Sequence, residues 1–458
     1  MKNLIFIIIF WLPQVHSAQI ISVGSGHALL KCKNGDAFTC GNNDFGQQGQ
    51  SPSAGNVFSF AVLNTLDSIK AIAAGGGHAI AIAQNGKTWA WGQNDAGQVG
   101  IGNYTNQYQP VVIDTLEHIV AASGGSYHSL FLKSDSTVWG CGDNSLGAVG
   151  KPVPPYSFNK PVRIDTLRRI VKISAGRGFS LALDKSGTVW AFGQNYWGQL
   201  GVATTQNKST PTALAGISHV TDIDAGSSVS YAVTGDGKVW GWGRNKYGEL
   251  GNAVPRDNNP HSTPVEIPGI SNAVQVEAGY RYALALLKDG TVMAWGRNKF
   301  YELGDSTTTN RYTPVKVKNL QNIHSISANV GVAFAIDSFG QIFSWGYSPL
   351  GSLASGMDTL KPVPTPVPFS DCNPLISLAE SAAKTLPRTE FYPNPTRGKV
   401  YWESGTPIEE AVLFDLTGLP VKHFNRPTVL DITEVPKGMY LLKVKTGDDW
   451  VVRKIWKQ

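Results

Sequence analysis

Three histidines, His27, His78 and His128, each stand fourteen residues before a glycine of one recurring Trp-Gly or Cys-Gly pair. Three imidazoles at matching places on one face could ligate a metal. The other repeats put Phe179, Val229, Tyr282 and Val332 there, so the position reads as the start of a packed strand and no metal site is expected. Acid–base chemistry would need carboxylates gathered on one face. The loop acids Asp95, Glu249 and Glu302 fall in different repeats, and no Gly-x-Ser-x-Gly elbow, His-Glu-x-x-His, phosphate loop or EF-hand run occurs. No catalytic residue and no cofactor are assigned.

Recognition chemistry is better represented. After the Trp-Gly pair, successive repeats carry Tyr196-Trp197, then Arg244 with Lys246-Tyr247, then Arg297 with Lys299-Phe300-Tyr301. Trp, Tyr and Arg anchor interfaces, and loops on a rigid scaffold are where binding residues gather. These loops are expected to share one face and form a contiguous arc. Tyr127, Arg177, Tyr280 and Arg281, in the short loops after Ala-Gly or Gly-Gly turns, are expected on the opposite face.

The elements that must position them repeat. Gly41, Gly92, Gly142, Gly193, Gly243, Gly296 and Gly346 are spaced by 51, 50, 51, 50, 53 and 50 residues. Each unit holds four apolar segments of strand length, as in "RRIVKISAG", "FSLALDKSG", "TVWAFGQN" and "TPTALAG". The middle two form a hairpin with a Gly turn ("QNGK", "KDGT"). Paired aromatics such as Trp89/Trp91 and Trp240/Trp242 share a side at period two and pack on the neighbouring unit. Four strands per unit, seven units and no helical periodicity predict an all-β, seven-bladed propeller. The Trp-Gly stretch is expected to be the inner wall of a blade. Residues 19–23 ("QIISV") read as a strand missing from the seventh repeat, predicting closure by chain start joining chain end.

The Trp-Gly-x-Asn-x-x-Gly-x-Leu-Gly signature, in "AGGGHAIAIAQNGKTWAWGQNDAGQVG" and "AGRGFSLALDKSGTVWAFGQNYWGQLG", resembles the RCC1 (regulator of chromosome condensation) repeat family over residues 19–370. The seventh copy departs most, with Ser348 for the asparagine and Ala354 for the last glycine. After a linker at 371–388, residues 389–458 read as a small β-sandwich similar to the type A sorting domain of the type IX secretion system. The residues carrying that resemblance are Tyr392-Pro393-Asn394-Pro395, Gly418, Gly438, Tyr440, and the basic end Arg453, Lys454 and Lys457. It implies transfer by the type IX machinery.

The start of the chain fits export: Lys2, an apolar run from Leu4 to Pro13, then small residues before a cleavage point, making 1–18 a signal peptide. No other stretch is apolar enough to span a membrane, so the mature chain is expected to lack a transmembrane segment. A net charge of +6 over 458 residues, without a block of like charges, gives nucleic-acid binding no support. Of the four cysteines, Cys40 and Cys141 occupy core positions of the repeat, while Cys32 and Cys372 are free to pair. The nuclear exchange-factor role of the founding RCC1 protein does not transfer to an exported chain. The expected function is a monomeric secreted or cell-surface protein, routed through the periplasm, that binds an extracellular protein or glycan with one propeller face. A secreted enzyme inhibitor similar to the propeller-type β-lactamase inhibitor is the alternative, and a polysaccharide lyase or hydrolase a more distant one.

Overall fold

The computed structural model describes residues 20–369 apart from 256, 357 and 358, and residues 390–457 apart from 393–395, 397, 404–407, 415–419 and 447–448. The leader and the linker expected at 371–388 lie outside the described residues. The chain divides into two compact units, residues 1–375 and 376–458.

Seven antiparallel sheets of four consecutive strands make up the first unit, a seven-bladed propeller. Blade 5 is typical: Val220–Ala225, Val229–Thr234, Val239–Asn245 and Asp257–Glu266, in that order across the sheet. First strands of successive blades touch one another and so form the inner ring. The second strand of blade 5, "VSYAVT", is buried throughout, because both its faces are covered by neighbouring blades. The stretch "VWGWGRN" is the third strand, not the inner wall that the aromatic pattern suggested. Alternation tells which side of a strand an aromatic faces, but not how far the strand lies from the axis.

Adjacent blades pack face to face and share one repeated contact. The second aromatic of the third strand packs into the preceding blade, as Trp242 does among Leu181, Leu200 and Leu214. Its indole Nε1 donates to the carbonyl of the residue six after that blade's repeat glycine: Trp91 to Gln47 (2.9 Å), Trp242 to Gln199 (2.9 Å), Trp295 to Glu249 (2.7 Å) and Trp345 to Glu302 (2.9 Å). Cys141 uses its thiol on Gln98 O at 3.4 Å. Glycine follows for a steric reason. At Gly243, φ is +110° and a β-carbon would lie 2.5 Å from Ser228 O, so no other residue fits.

Closure differs from the expectation. Ile21–Val23 pairs with His27–Lys31 as the first strand of blade 1, and blade 7 already holds four strands ending in Leu360–Pro366. The Ile-Val strand after each Pro-Val strand opens the next blade, so the seventh repeat lacks nothing. The ring closes by contacts between intact blades. Phe38 and Phe60 of blade 1 pack on Phe369, and Phe60 on Phe334 of blade 7. Asn329 Nδ2 donates to Val23 O (2.9 Å), and the Cys40 thiol reaches Ser352 O (3.9 Å), the same contact the tryptophans make elsewhere.

The C-terminal unit is a two-sheet sandwich. Glu390–Tyr392, Lys399–Glu403 and Leu430–Asp431 form one sheet. Pro420–Asn425, Glu410–Phe414, Gly438–Thr446 and Asp449–Lys457 form the other, and Val400, Leu413, Leu430, Leu442 and Ile455 share the core between them. Tyr440 is buried with its hydroxyl on Pro436 O at 2.8 Å. Arg453 and Lys454 lie in the last strand, where Lys457 is buried and bridged to Thr396. Pro393, Asn394, Pro395 and Gly418 fall outside the described residues.

Candidate binding face

The loop after each third strand is built around the signature asparagine, which is buried. In blade 4, Asn195 Oδ1 accepts from Leu200 N (2.9 Å) while Nδ2 donates to Thr204 O (2.7 Å) and Gln206 O (3.0 Å). Asn43, Asn94, Asn144, Asn245 and Asn298 serve their loops the same way. In blade 7, Ser348 Oγ accepts from Ser352 N instead. The asparagine therefore holds the loop and leaves the residues flanking it free to vary.

Those residues meet across blades. The Arg244 guanidinium of blade 5 lies 4.8 Å from the ring centroid of Trp197 in blade 4 and 5.9 Å from that of its own Tyr247. Arg281 of blade 6 covers Tyr247 at 5.1 Å and donates to its hydroxyl (3.2 Å) and to that of Tyr280 (3.0 Å). Arg297 and Lys299 approach Phe300 at 5.0 and 5.3 Å, and Phe300 stacks on Tyr347 of blade 7 at 5.1 Å. Lys246 approaches Tyr247 at 5.8 Å. Tyr196 is exposed, and Trp197, Tyr247, Phe300 and Tyr301 are half-buried. Tyr301 takes φ of +62° where the adjacent blades have Gly248 and Gly351.

Tyr280 and Arg281 are thus on the same face as the arc, not the opposite one. Each blade runs up, down, up and down, so the first-to-second and third-to-fourth connections emerge at the same end. Arg297 N bonds Arg281 O at 2.8 Å, and Arg244 N bonds Ser228 O at 2.9 Å, locking the two loop sets together. Tyr127 and Arg177 move to this face for the same reason. Tyr347 was not singled out in the sequence, although it occupies the repeat position of Arg244 and Arg297.

Two of the loop acids are not surface groups. Glu249 and Glu302 are buried, each accepting a backbone N–H at 2.6 Å, from Tyr247 and Phe300. Gln47, Gln98 and Gln199 make the equivalent bond in blades 1, 2 and 4, from Phe45, Ala96 and Trp197. Burial pushes the Glu249 carboxyl up to about 7, and the nearby Arg244 and Arg281 draw it back only partly. Glu302 is likewise raised by burial, with Arg297 Nη1 at 3.4 Å from its Oε1. In the two blades with Arg after the Trp-Gly glycine, Glu replaces this Gln, so the charges enter as pairs.

The short loops ring the mouth of the central channel, a cavity of about 220 Å³ lined by Ser25, Gly76, Ser126, Arg177, Ser227 and Tyr280 among others. On the strands leading to it, Asp222 pairs with Lys172, and Asp224 accepts from Ser174 Oγ (2.6 Å) and Ala278 N (2.7 Å). Burial raises Asp224 and Glu277. The three histidines are core groups. His78 Nε2 meets Ser129 Oγ of the next blade at 2.8 Å, and His128 Nε2 meets Ser180 Oγ at 2.9 Å. Burial lowers His27, His78 and His128 to about 4, 3 and 4. His27 faces Ala79 where the others have serine, and among the described residues neither of its ring nitrogens meets a side-chain partner. Cys40 and Cys141 are buried free thiols, and Cys32 is disulfide-bonded. Cys372 lies outside the described residues.

Comparison with known proteins agrees with this architecture. Residues 157–384 match the RCC1-like domain. Residues 19–47, 69–98, 85–132 and 119–148 match the regulator of chromosome condensation (RCC1) repeat. Residues 390–458 match the secretion system C-terminal sorting domain. The ultraviolet-B receptor UVR8 of Arabidopsis thaliana is 28% identical over 303 residues, covering 64% of this chain and 68% of that protein. The probable human E3 ubiquitin-protein ligase HERC6 is 30% identical over 202 residues, 42% of this chain but only 20% of the ligase, so the two share only a part. Human WBSCR16 superposes with a TM-score of 0.67 at 23% identity, over 73% of this chain and 94% of that one. Prp20p of Saccharomyces cerevisiae does so with 0.66 at 22%, over 75% and 88%. Seven closed blades, the repeated glycine and asparagine scaffold and these matches together place the chain in the RCC1 repeat family, with a secretion system C-terminal sorting domain at its end.

Proposed function

We propose that this protein is exported through a type IX secretion system to the cell surface or medium, where it binds an extracellular protein or glycan. The propeller face formed by the short inner loops and the post-Trp-Gly loops of blades 4 to 7 carries the contact. The observation behind this reading is the cation–aromatic ladder from Trp197 through Arg244, Tyr247 and Arg281 to Tyr280. It occupies the loop positions that the scaffold leaves variable, and it is absent from the matching positions of blades 1 and 2, which hold Asn42, Phe45, Gln93 and Ala96. Packing alone therefore does not require it. The sorting domain and the disulfide-bonded Cys32 agree with an oxidising destination. No catalytic role is assigned: Glu249 and Glu302 each close their own loop from inside.

The test is capture from the native surface and growth medium by the full-length protein and by a Trp197→Ala, Tyr247→Ala variant, with Ala96 of blade 2 as the precedent for alanine at this place. Loss of a specific prey in the variant supports the reading. Prey held equally by both moves the site off this face.

A further inference from the structure

The repeat positions on this face carry opposite charge on the two sides of the ring. Blades 1 to 3 place Asp44, Asp95 and Asp143 in the loops where blades 5 and 6 place Arg244, Lys246, Arg297 and Lys299. Asp44 and Asp95 are exposed and Asp143 half-exposed. On the basic side, Arg177 is exposed at the channel mouth and Arg281 half-exposed beside it. Of the acids on that side, Glu249 and Glu302 are buried beneath the loops, Asp305 is buried against Arg311, and Asp257 is half-buried against His261.

The ladder also restricts what can dock. A sugar binds an aromatic platform through the open face of the ring. Here Arg244 covers Trp197, Arg281 covers Tyr247, and Phe300 is held between cations and Tyr347. A guanidinium carries five N–H donors, so a stacked one has some left to turn outward: Arg281 spends one each on Tyr247 and Tyr280, and Arg297 sets Nη1 beside Glu302, and the donors that remain match a carboxylate.

We infer that the partner is a protein whose surface sets an acidic patch, seated on the arginines of blades 5 and 6, beside a basic patch facing Asp44, Asp95 and Asp143. This deepens the binding role proposed above and rests on it. A uniformly anionic glycan meets repulsion over blades 1 to 3, and a neutral glycan finds the rings of the ladder engaged by cations, with Tyr196 and Tyr127 standing exposed apart from them. Electrostatic complementarity of this two-signed kind fixes the orientation of a partner as well as its approach rate.

The experiment titrates the full-length protein, by fluorescence anisotropy at low salt, with three labelled probes. One is a block peptide of six glutamates, a Gly-Ser spacer and six lysines. The second replaces the lysines with glutamates, and the third is an oligogalacturonate of equal negative charge. The block peptide is expected to bind at least ten-fold more tightly than either uniform anion. Arg244→Gln with Arg281→Gly, residues that blade 4 already has as Gln194 and Gly178, should weaken the block peptide at least ten-fold while folding is retained. Asp44→Asn with Asp95→Asn should weaken the block peptide and strengthen the all-glutamate one. Equal affinity for the three probes, tighter binding of the galacturonate, or indifference to both variants overturns the inference. If prey capture depends on Trp197 and Tyr247 while the block peptide shows no preference, the binding face stands and only the partner's chemistry fails.

Discussion

Glu249→Gln isolates the energetic cost of the charged ladder. Glu249 Oε2 accepts from Tyr247 N at 2.6 Å, a bond that Gln199 makes to Trp197 N at 2.9 Å one blade earlier, so an amide fits this place. The carboxyl rises from its ordinary 4.5 to about 7 on folding. The unfolded chain therefore ionises first. Below pH 4.5 the group costs nothing, between 4.5 and 7 the cost grows, and above 7 it is full, roughly 2.5 pK units or about 3 kcal/mol. The Gln variant should therefore be more stable than the parent by as much as about 3 kcal/mol at pH 8, with the gain fading toward pH 5. Denaturant unfolding of both proteins at pH 5, 6, 7 and 8 measures it, and the difference between them cancels the acid sensitivity of the buried histidines. A gain that does not change with pH, or a variant less stable at pH 8, refutes the reasoning.

Three further outcomes are expected. Ala79→Ser should give His27 the inter-blade hydroxyl that His78 and His128 have, and Ser230 and Trp242 sharing Gln199 O is the precedent for a serine beside Trp91; thermal unfolding should report a gain of about 1 kcal/mol. Tyr301→Gly should remove a left-handed tyrosine, raise stability by about 1 kcal/mol in the same assay, and weaken prey capture, opposite signs that a purely structural tyrosine would not give. Burial holds the thiols of Cys40 and Cys141 well above the ordinary range, so iodoacetamide followed by mass spectrometry should leave both unmodified in native protein and alkylate both in denaturant.

The sequence disclosed what repeats locally. A glycine every 50 to 53 residues, an aromatic or cysteine immediately before it and, in six of the seven repeats, an asparagine two after it are each dictated by a contact inside one blade or with a neighbouring one, so they announce blade number and packing directly. What it did not disclose is topological. Whether the Ile-Val strand ends one blade or opens another depends on which neighbour it pairs with, and Ile21–Val23 pairs forward. Whether Arg281 shares a face with Arg244 depends on counting strand reversals, which the residues themselves do not carry. The roles of Glu249 and Glu302 were legible in principle. Set beside Gln47, Gln98 and Gln199 in the same repeat position, they read as loop closures, and the arginines that accompany them read as their partners.

The central claim is that the face bearing the ladder is the one that holds a partner. Hydrogen–deuterium exchange on the full-length protein, free and with its captured prey, tests it most directly. Protection is expected in the loops at 194–200, 244–250, 279–281 and 297–303. The hairpin turns at 84–87 and 288–291, on the opposite face, should exchange as in the free protein. Protection of those turns with the ladder loops unchanged would contradict the account.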